Sequence, residues 1–177
     1  FLFFLGNTDP KKNTPGTLKA YAEYVRRSEK PLPLLIADLG EQPAEAILRE
    51  IGEPRLRGML RLAGYIPNSD LPAIYNRASA FLYTSLRESF GIPQLEAMAC
   101  GTPVVTSATS AIPEVAGEGA ILVDPTDPKA IADALLRLET DAAFRARQVA
   151  YGLDRVKQFS WEKTARHLLT LYESLGK

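Results

Sequence analysis

The 177-residue chain predicts an α/β fold, a doubly wound parallel sheet with helices gathered at its C-terminal end. Three observations carry this. Short apolar runs alternate with helical stripes along most of the chain, the pattern of βα units feeding a parallel sheet. After the last apolar run only helical patterns remain. No internal repeat or low-complexity segment interrupts the order.

Taken in order, Phe1 to Leu5 is the first predicted strand, and Leu18, Tyr21, Ala22 and Val25 form the stripe of the first helix. Pro33 to Ala37 is a second strand, followed by a stripe at Ile47, Leu48 and Ile51. Met59 to Leu62 is a third strand. Ser69 and Asp70 offer an N-cap to the helix that carries Leu71, Ile74, Tyr75 and Ala78. Ala80 to Tyr83 is a fourth strand, and a helix from about Ile92 to Cys100 should stop at Gly101. Pro93 is tolerated there because the first helical turn has no intrahelical use for its missing N–H. Pro103 to Thr106 and Ala120 to Val123 complete the strands. Helices then follow at Pro128 to Glu139, capped by Asp127, at Asp141 to Gln158 and at Trp161 to Leu175.

Length predicts one domain with a sizeable core. Hydrophobic residues at 46% and charged residues at 24% are ordinary for a globular chain. Lysine plus arginine equals aspartate plus glutamate, 21 each, so no global basic field recruits nucleic acid or an anionic membrane, and any anion must be held by local groups. A lone cysteine, Cys100, excludes an internal disulfide and fits a reducing, cytoplasmic setting, and a lone histidine leaves little for a metal site. That histidine, His167, lies beside Leu168 and Leu169 and is expected to be a partly buried structural residue. No apolar run approaches the roughly 20 residues that span a bilayer. Phe1 to Leu5 lacks the basic start of a signal peptide and reads as a buried strand. The chain opens inside that strand without methionine, which suggests a piece of a longer protein.

The segment from Glu88 to Glu96 concentrates the chemistry. Gly91 lets the backbone approach a ligand closely. The helix starting at Ile92 presents free N–H groups and a positive dipole end, which favour a phosphate. Glu88 and Glu96 need another partner, and sugar hydroxyls fit, because an ionised carboxylate accepts from two neighbouring hydroxyls. Without a ligand, Glu96 would still stabilise the helix start by roughly 0.3 to 1 kcal/mol. Phe90 on its own reads as a core residue, and Ser85 as a turn residue.

Glu88 and Glu96 stand at the spacing of an E-x7-E motif. Around it lie Gly64-Tyr65-Ile66-Pro67, a Leu71-x-x-x-Tyr75-x-x-Ala78 helix, Ser85-x-x-Glu88-x-Phe90-Gly91 and Glu96-Ala-Met-Ala-Cys100-Gly-Thr-Pro-Val-Val105. In this order the segments resemble the retaining glycosyltransferases of family 4, also called group 1, from about Phe1 to Phe159-Ser160-Trp161. The resemblance implies the C-terminal, Rossmann-like half of a GT-B fold. It makes residues 1–177 a donor domain whose acceptor-binding N-terminal partner is absent from this chain.

The implied reaction transfers a hexosyl group from a nucleotide sugar, GDP-mannose-like or UDP-hexose, to an acceptor hydroxyl with retention. The acceptor would be a saccharide or lipid-linked saccharide in polysaccharide or glycolipid synthesis, and the full-length protein would be cytoplasmic or peripheral at the inner membrane face. No cofactor and no metal is implied. In the family, the loop after the first strand commonly carries an arginine and a lysine that grip the diphosphate. Gly6 opens that loop here, Lys12 aligns with the lysine, and Asn7 stands where arginine is commonest, supplying a donor but no charge. Neighbouring Lys11 is expected to face solvent. A branch with mannosyl- and rhamnosyltransferase-like members carries a small polar residue at that position with Pro-x-Lys-Asn following, which tilts a choice open among uridine, guanosine and adenosine toward guanosine. The resemblance gives Glu96 the ribose hydroxyls, and Glu88 the transferred sugar or the orientation of its loop. Ser85 is family-like, and Phe90, Gly91 and Ile92 would offer backbone N–H groups to sugar hydroxyls and β-phosphate.

The base is expected near Gly64-Tyr65-Ile66 and Asp38-Leu39-Gly40, read by backbone groups. The final helix should leave Trp161 or Leu168 exposed. A non-catalytic sugar-nucleotide binding module is the alternative. A dinucleotide enzyme is disfavoured because the first βα turn lacks Gly-x-Gly-x-x-Gly. A glycoside hydrolase is disfavoured because it would leave the phosphate-binding features idle.

Overall fold

A computed structural model describes residues 1–176. Six parallel strands form one sheet: β1 (Leu2–Leu5), β2 (Leu34–Ala37), β3 (Leu60–Gly64), β4 (Ala80–Tyr83), β5 (Val104–Ser107) and β6 (Ile121–Val123). Their order is β3-β2-β1-β4-β5-β6. The chain therefore builds outward from β1 in one direction, returns, and builds outward in the other from β4. The crevice between the carboxyl ends of β1 and β4 is the topological switch point, where ligands of such sheets bind.

Strands in a parallel sheet are covered on both faces, and successive side chains point to opposite sides. Leu2 and Phe4 of β1 join Leu34, Ile36, Leu82 and Val105 against α1 (Thr14–Arg27) and α6 (Pro128–Thr140). Phe3, between them, faces the other way with Phe81, Tyr83 and Val104, toward α3 (Leu71–Arg77) and α4 (Ile92–Ala99). On that second face Phe3, Tyr75, Phe81 and Tyr83 form an aromatic column with successive ring centroids 5.4, 5.2 and 5.8 Å apart. This column rises from mid-sheet to the switch point.

The remaining helices are α2 (Glu41–Glu50), α5 (Ile112–Ala116), α7 (Ala142–Arg155) and α8 (Trp161–Leu175). All six strands lie within two residues of their predicted bounds. Asp127 caps α6 as expected, its carboxylate accepting from Lys129 N–H and Ala130 N–H. At α3, Asp70 occupies the cap position, but its side chain accepts from the Ser69 hydroxyl and bonds no helix amide.

The short α5 was not expected, because five residues are too few to show a helical stripe. The predicted helix from Asp141 to Gln158 ends at Arg155 and tightens into a 3-10 turn, Val156–Gln158. His167 is corrected: it is exposed, because α8 has no buried residue, and Trp161 and Leu168 are 81% and 47% exposed.

Candidate functional site

The loops leaving β1 and β4 meet at the switch point, and their meeting is built by main-chain and side-chain bonds. Leu86 N–H donates to Lys11 O at 2.7 Å. The Asn13 side-chain amide donates to Thr84 O and Pro125 O, joining the loops after β1, β4 and β6. Asn13 adopts φ 56°, a left-handed conformation that asparagine tolerates better than most residues. Below them the Thr17 and Thr84 hydroxyls share a buried hydrogen bond of 2.5 Å.

Gly6 is required by close approach, since a Cβ there would lie 1.9 Å from the Phe4 ring. The Asn7 carboxamide oxygen accepts from Asp9 N–H, and its main-chain oxygen accepts from the Thr14 hydroxyl. Asn7 thus shapes the loop with its acceptor side. Lys11 is exposed beside Asp9, whereas Lys12 turns inward and meets Glu88 at 2.8 Å. Both partners of this ion pair are largely shielded, with side chains 19% and 15% exposed, and the Tyr83 ring lies 5.5 Å from the ammonium. Burial acts to raise the Glu88 pKa, but hydrogen bonds from Lys12 and Ser85 and the Lys12 charge outweigh it, holding the carboxyl below the ordinary 4.5.

Ser85 is buried, and its main-chain oxygen accepts from the Ser107 hydroxyl. Gly91, at φ 94°, turns the chain into α4, in a conformation that costs other residues more. With Pro93 next in line, Gly91 and Ile92 supply the leading amides of that helix. Phe90 departs from the core reading: it is 43% exposed and meets Phe159 edge to face at 5.8 Å.

Glu96 is exposed one turn further along α4 and accepts from the Tyr75 hydroxyl at 3.2 Å. Burial, then the nearby Glu96 charge, pushes the Tyr75 hydroxyl pKa far up, so that it stays a donor. Glu96 lines a cleft of about 360 Å³ with Ala37, Asp38, Tyr65, Ile66 and Ile92. Asp38, at φ 61°, and Tyr65 bound the cleft from two neighbouring loops, which Asp38 N–H joins by donating to Gly64 O at the end of β3. These are the loops expected to receive a base.

Comparison with known proteins bears on what such a cleft is for. The family model for glycosyl transferases group 1 matches residues 1–155. The chain belongs to this family. The O-antigen chain mannosyltransferase B of Escherichia coli is 34% identical to it, over 99% of this chain and 46% of that protein. Among solved structures, sucrose-phosphate synthase from Thermosynechococcus elongatus matches with a TM-score of 0.81 at 28% identity, over 98% of this chain and 45% of its own. Anabaena HepE, solved in complex with UDP-glucose, shares the fold with a TM-score of 0.82 at 19% identity, over 98% of this chain and 48% of its own. The group 1 chain thus spans less than half of each relative. Among the described residues, no helix is long and apolar enough to cross a membrane.

The site carries partners that the sequence reading did not name. Tyr75 was assigned only to a helix, and of the hydroxyl residues Thr106, Ser107, Thr109 and Ser110 only Thr106 was assigned, to a strand end. Asn13 had one legible signal, its place at the end of a Pro-x-Lys-Asn loop.

Proposed function

We propose that this group 1 domain binds the nucleotide-sugar donor of a retaining hexosyltransferase, GDP-mannose-like or UDP-hexose. The observation that carries the reading is the convergence at one switch point of the Lys12–Glu88 pair, the start of α4 and the cleft lined by Glu96. A diphosphate entering there would take the Lys12 ammonium from Glu88 and receive the amides of Gly91 and Ile92. Glu88, released, would accept from hydroxyls of the transferred sugar. Glu96, steadied by Tyr75, would accept from the ribose hydroxyls, with the base in the cleft beside Asp38 and Tyr65.

During transfer the glycosidic bond to the diphosphate breaks and negative charge grows on the leaving oxygens. Donors already aimed at that position lower the barrier without reorganising. Lys12 and the helix start are such donors, and the reading invokes no resident metal or other cofactor. The names of two relatives fit this chemistry, one a mannosyltransferase and one solved with UDP-glucose. The acceptor, a saccharide or lipid-linked saccharide in polysaccharide synthesis, would bind through an N-terminal domain outside this sequence. The domain alone would bind donor in the cytoplasm without turning it over.

A second reading, a sugar-nucleotide binding module without catalysis, draws on Asn7, which brings no charge and whose side-chain oxygen is engaged with Asp9 N–H. Calorimetric titration with UDP, GDP, ADP and their hexose forms, with and without magnesium, tests donor binding. The expected result is magnesium-independent binding of one nucleotide family. Binding of none of them would overturn it.

A further inference from the structure

We propose that Ser110 is a positioning residue for Glu88, and that its hydroxyl, rather than any contact with donor, sets how strongly the sugar moiety is bound. The inference rests on the donor-site reading above. It begins where main-chain pairing ends. Strands β4 and β5 pair as far as Tyr83 and Thr106, and the segment from Thr84 to Ser89 lies beyond that paired register.

Side-chain hydroxyls take over the work of a strand. Thr106 donates to Tyr83 O at 2.9 Å, Ser107 to Ser85 O at 2.6 Å, Thr109 to Leu86 O at 3.3 Å and Ser110 to Glu88 O at 2.7 Å. Four hydroxyls within five consecutive positions thus engage four carbonyls of the facing segment. The last rung is double, because the Ser110 hydroxyl oxygen also accepts from Glu88 N–H at 3.3 Å. One side chain therefore holds both polar groups of the Glu88 main chain.

Ser110 holds this place at φ 60°, a left-handed conformation that serine rarely adopts. The opposite flank of the loop is fixed independently, through Leu86 N–H to Lys11 O and Asn13 to Thr84 O. Leu86 and Thr84 precede Glu88, so the Ser110 rung is the restraint on the main chain of Glu88 itself, beside the Lys12 bond to its carboxylate. Losing it would let the carboxylate move away from Lys12 while leaving the cleft around Glu96 intact.

The test compares this chain with Ser110→Ala in titrations with UDP, UDP-glucose, GDP and GDP-mannose, and follows amide exchange at Glu88. Ser110→Ala should not weaken binding of the bare nucleotide, because a loosened Glu88 competes less for Lys12. It should reduce the gain in affinity that the sugar confers by about five- to tenfold, the worth of one or two hydrogen bonds. Exchange at the Glu88 amide should rise. Ser110→Gly, which relieves the backbone strain but also lacks the hydroxyl, should show the same losses. An unchanged sugar gain in both variants would overturn the inference while the donor reading stands, as would Ser110→Gly behaving like the parent. Failure of the parent to bind any of the four ligands would overturn the donor reading and this inference with it.

Discussion

Lys12 and Glu88 are 76 positions apart, and their ion pair couples the two loops of the site. Each residue is visible in the sequence as a candidate; their pairing is not, because it depends on β1 and β4 being neighbours. The carboxyl of Glu88 titrates below 4.5, its burial outweighed by Lys12 and Ser85. A depressed carboxylate contributes stability above its unfolded pKa and loses it as pH falls through the folded value. Glu88→Gln should therefore lower stability at neutral pH by roughly 1 kcal/mol, between the worth of an exposed and a fully buried pair. The deficit should begin to shrink as pH falls below about 4.5 and vanish only below the lower, folded-state value, where the parent loses the pair too. Urea denaturation across that range reads both. A deficit that persists unchanged in acid would assign the loss to packing.

Secondary structure was legible wherever periodicity had room to show. Each strand is a short apolar run between helical stripes, and Asp127-Pro128 announces the start of α6. The five residues of α5 fall below that threshold. Periodicity also reports only that a helix has an apolar face, not what covers it, which is why His167 was misplaced. Helix α8 carries Trp161, Leu169, Tyr172 and Leu175 at 81%, 58%, 67% and 74% exposure. With no buried residue, it adds little to the stability of the domain. Truncation after Phe159 should leave the thermal midpoint within about 2 °C of the parent, a shift worth no more than about 1 kcal/mol in a domain of this size. It should also reduce self-association driven by exposed apolar surface. A large fall in midpoint would show that α8 packs on the domain in solution.

For the molecule as a whole, the sheet order decides where function sits. The sequence carried the E-x7-E spacing, the Gly6 to Lys12 loop and the strands that bear them, and these suffice to converge at the carboxyl edge. It did not carry the hydroxyl bonds from β5, the aromatic column or the Tyr75–Glu96 bond, since each joins residues distant in the chain. The central claim is that this group 1 domain holds a nucleotide sugar with Glu96 on the ribose. Titrating the parent and Glu96→Ala with the UDP and GDP sugars tests it most directly. The account predicts magnesium-independent binding by the parent and at least a tenfold loss in Glu96→Ala, as expected for a lost charge-assisted bond. Equal affinity of the two proteins would contradict it.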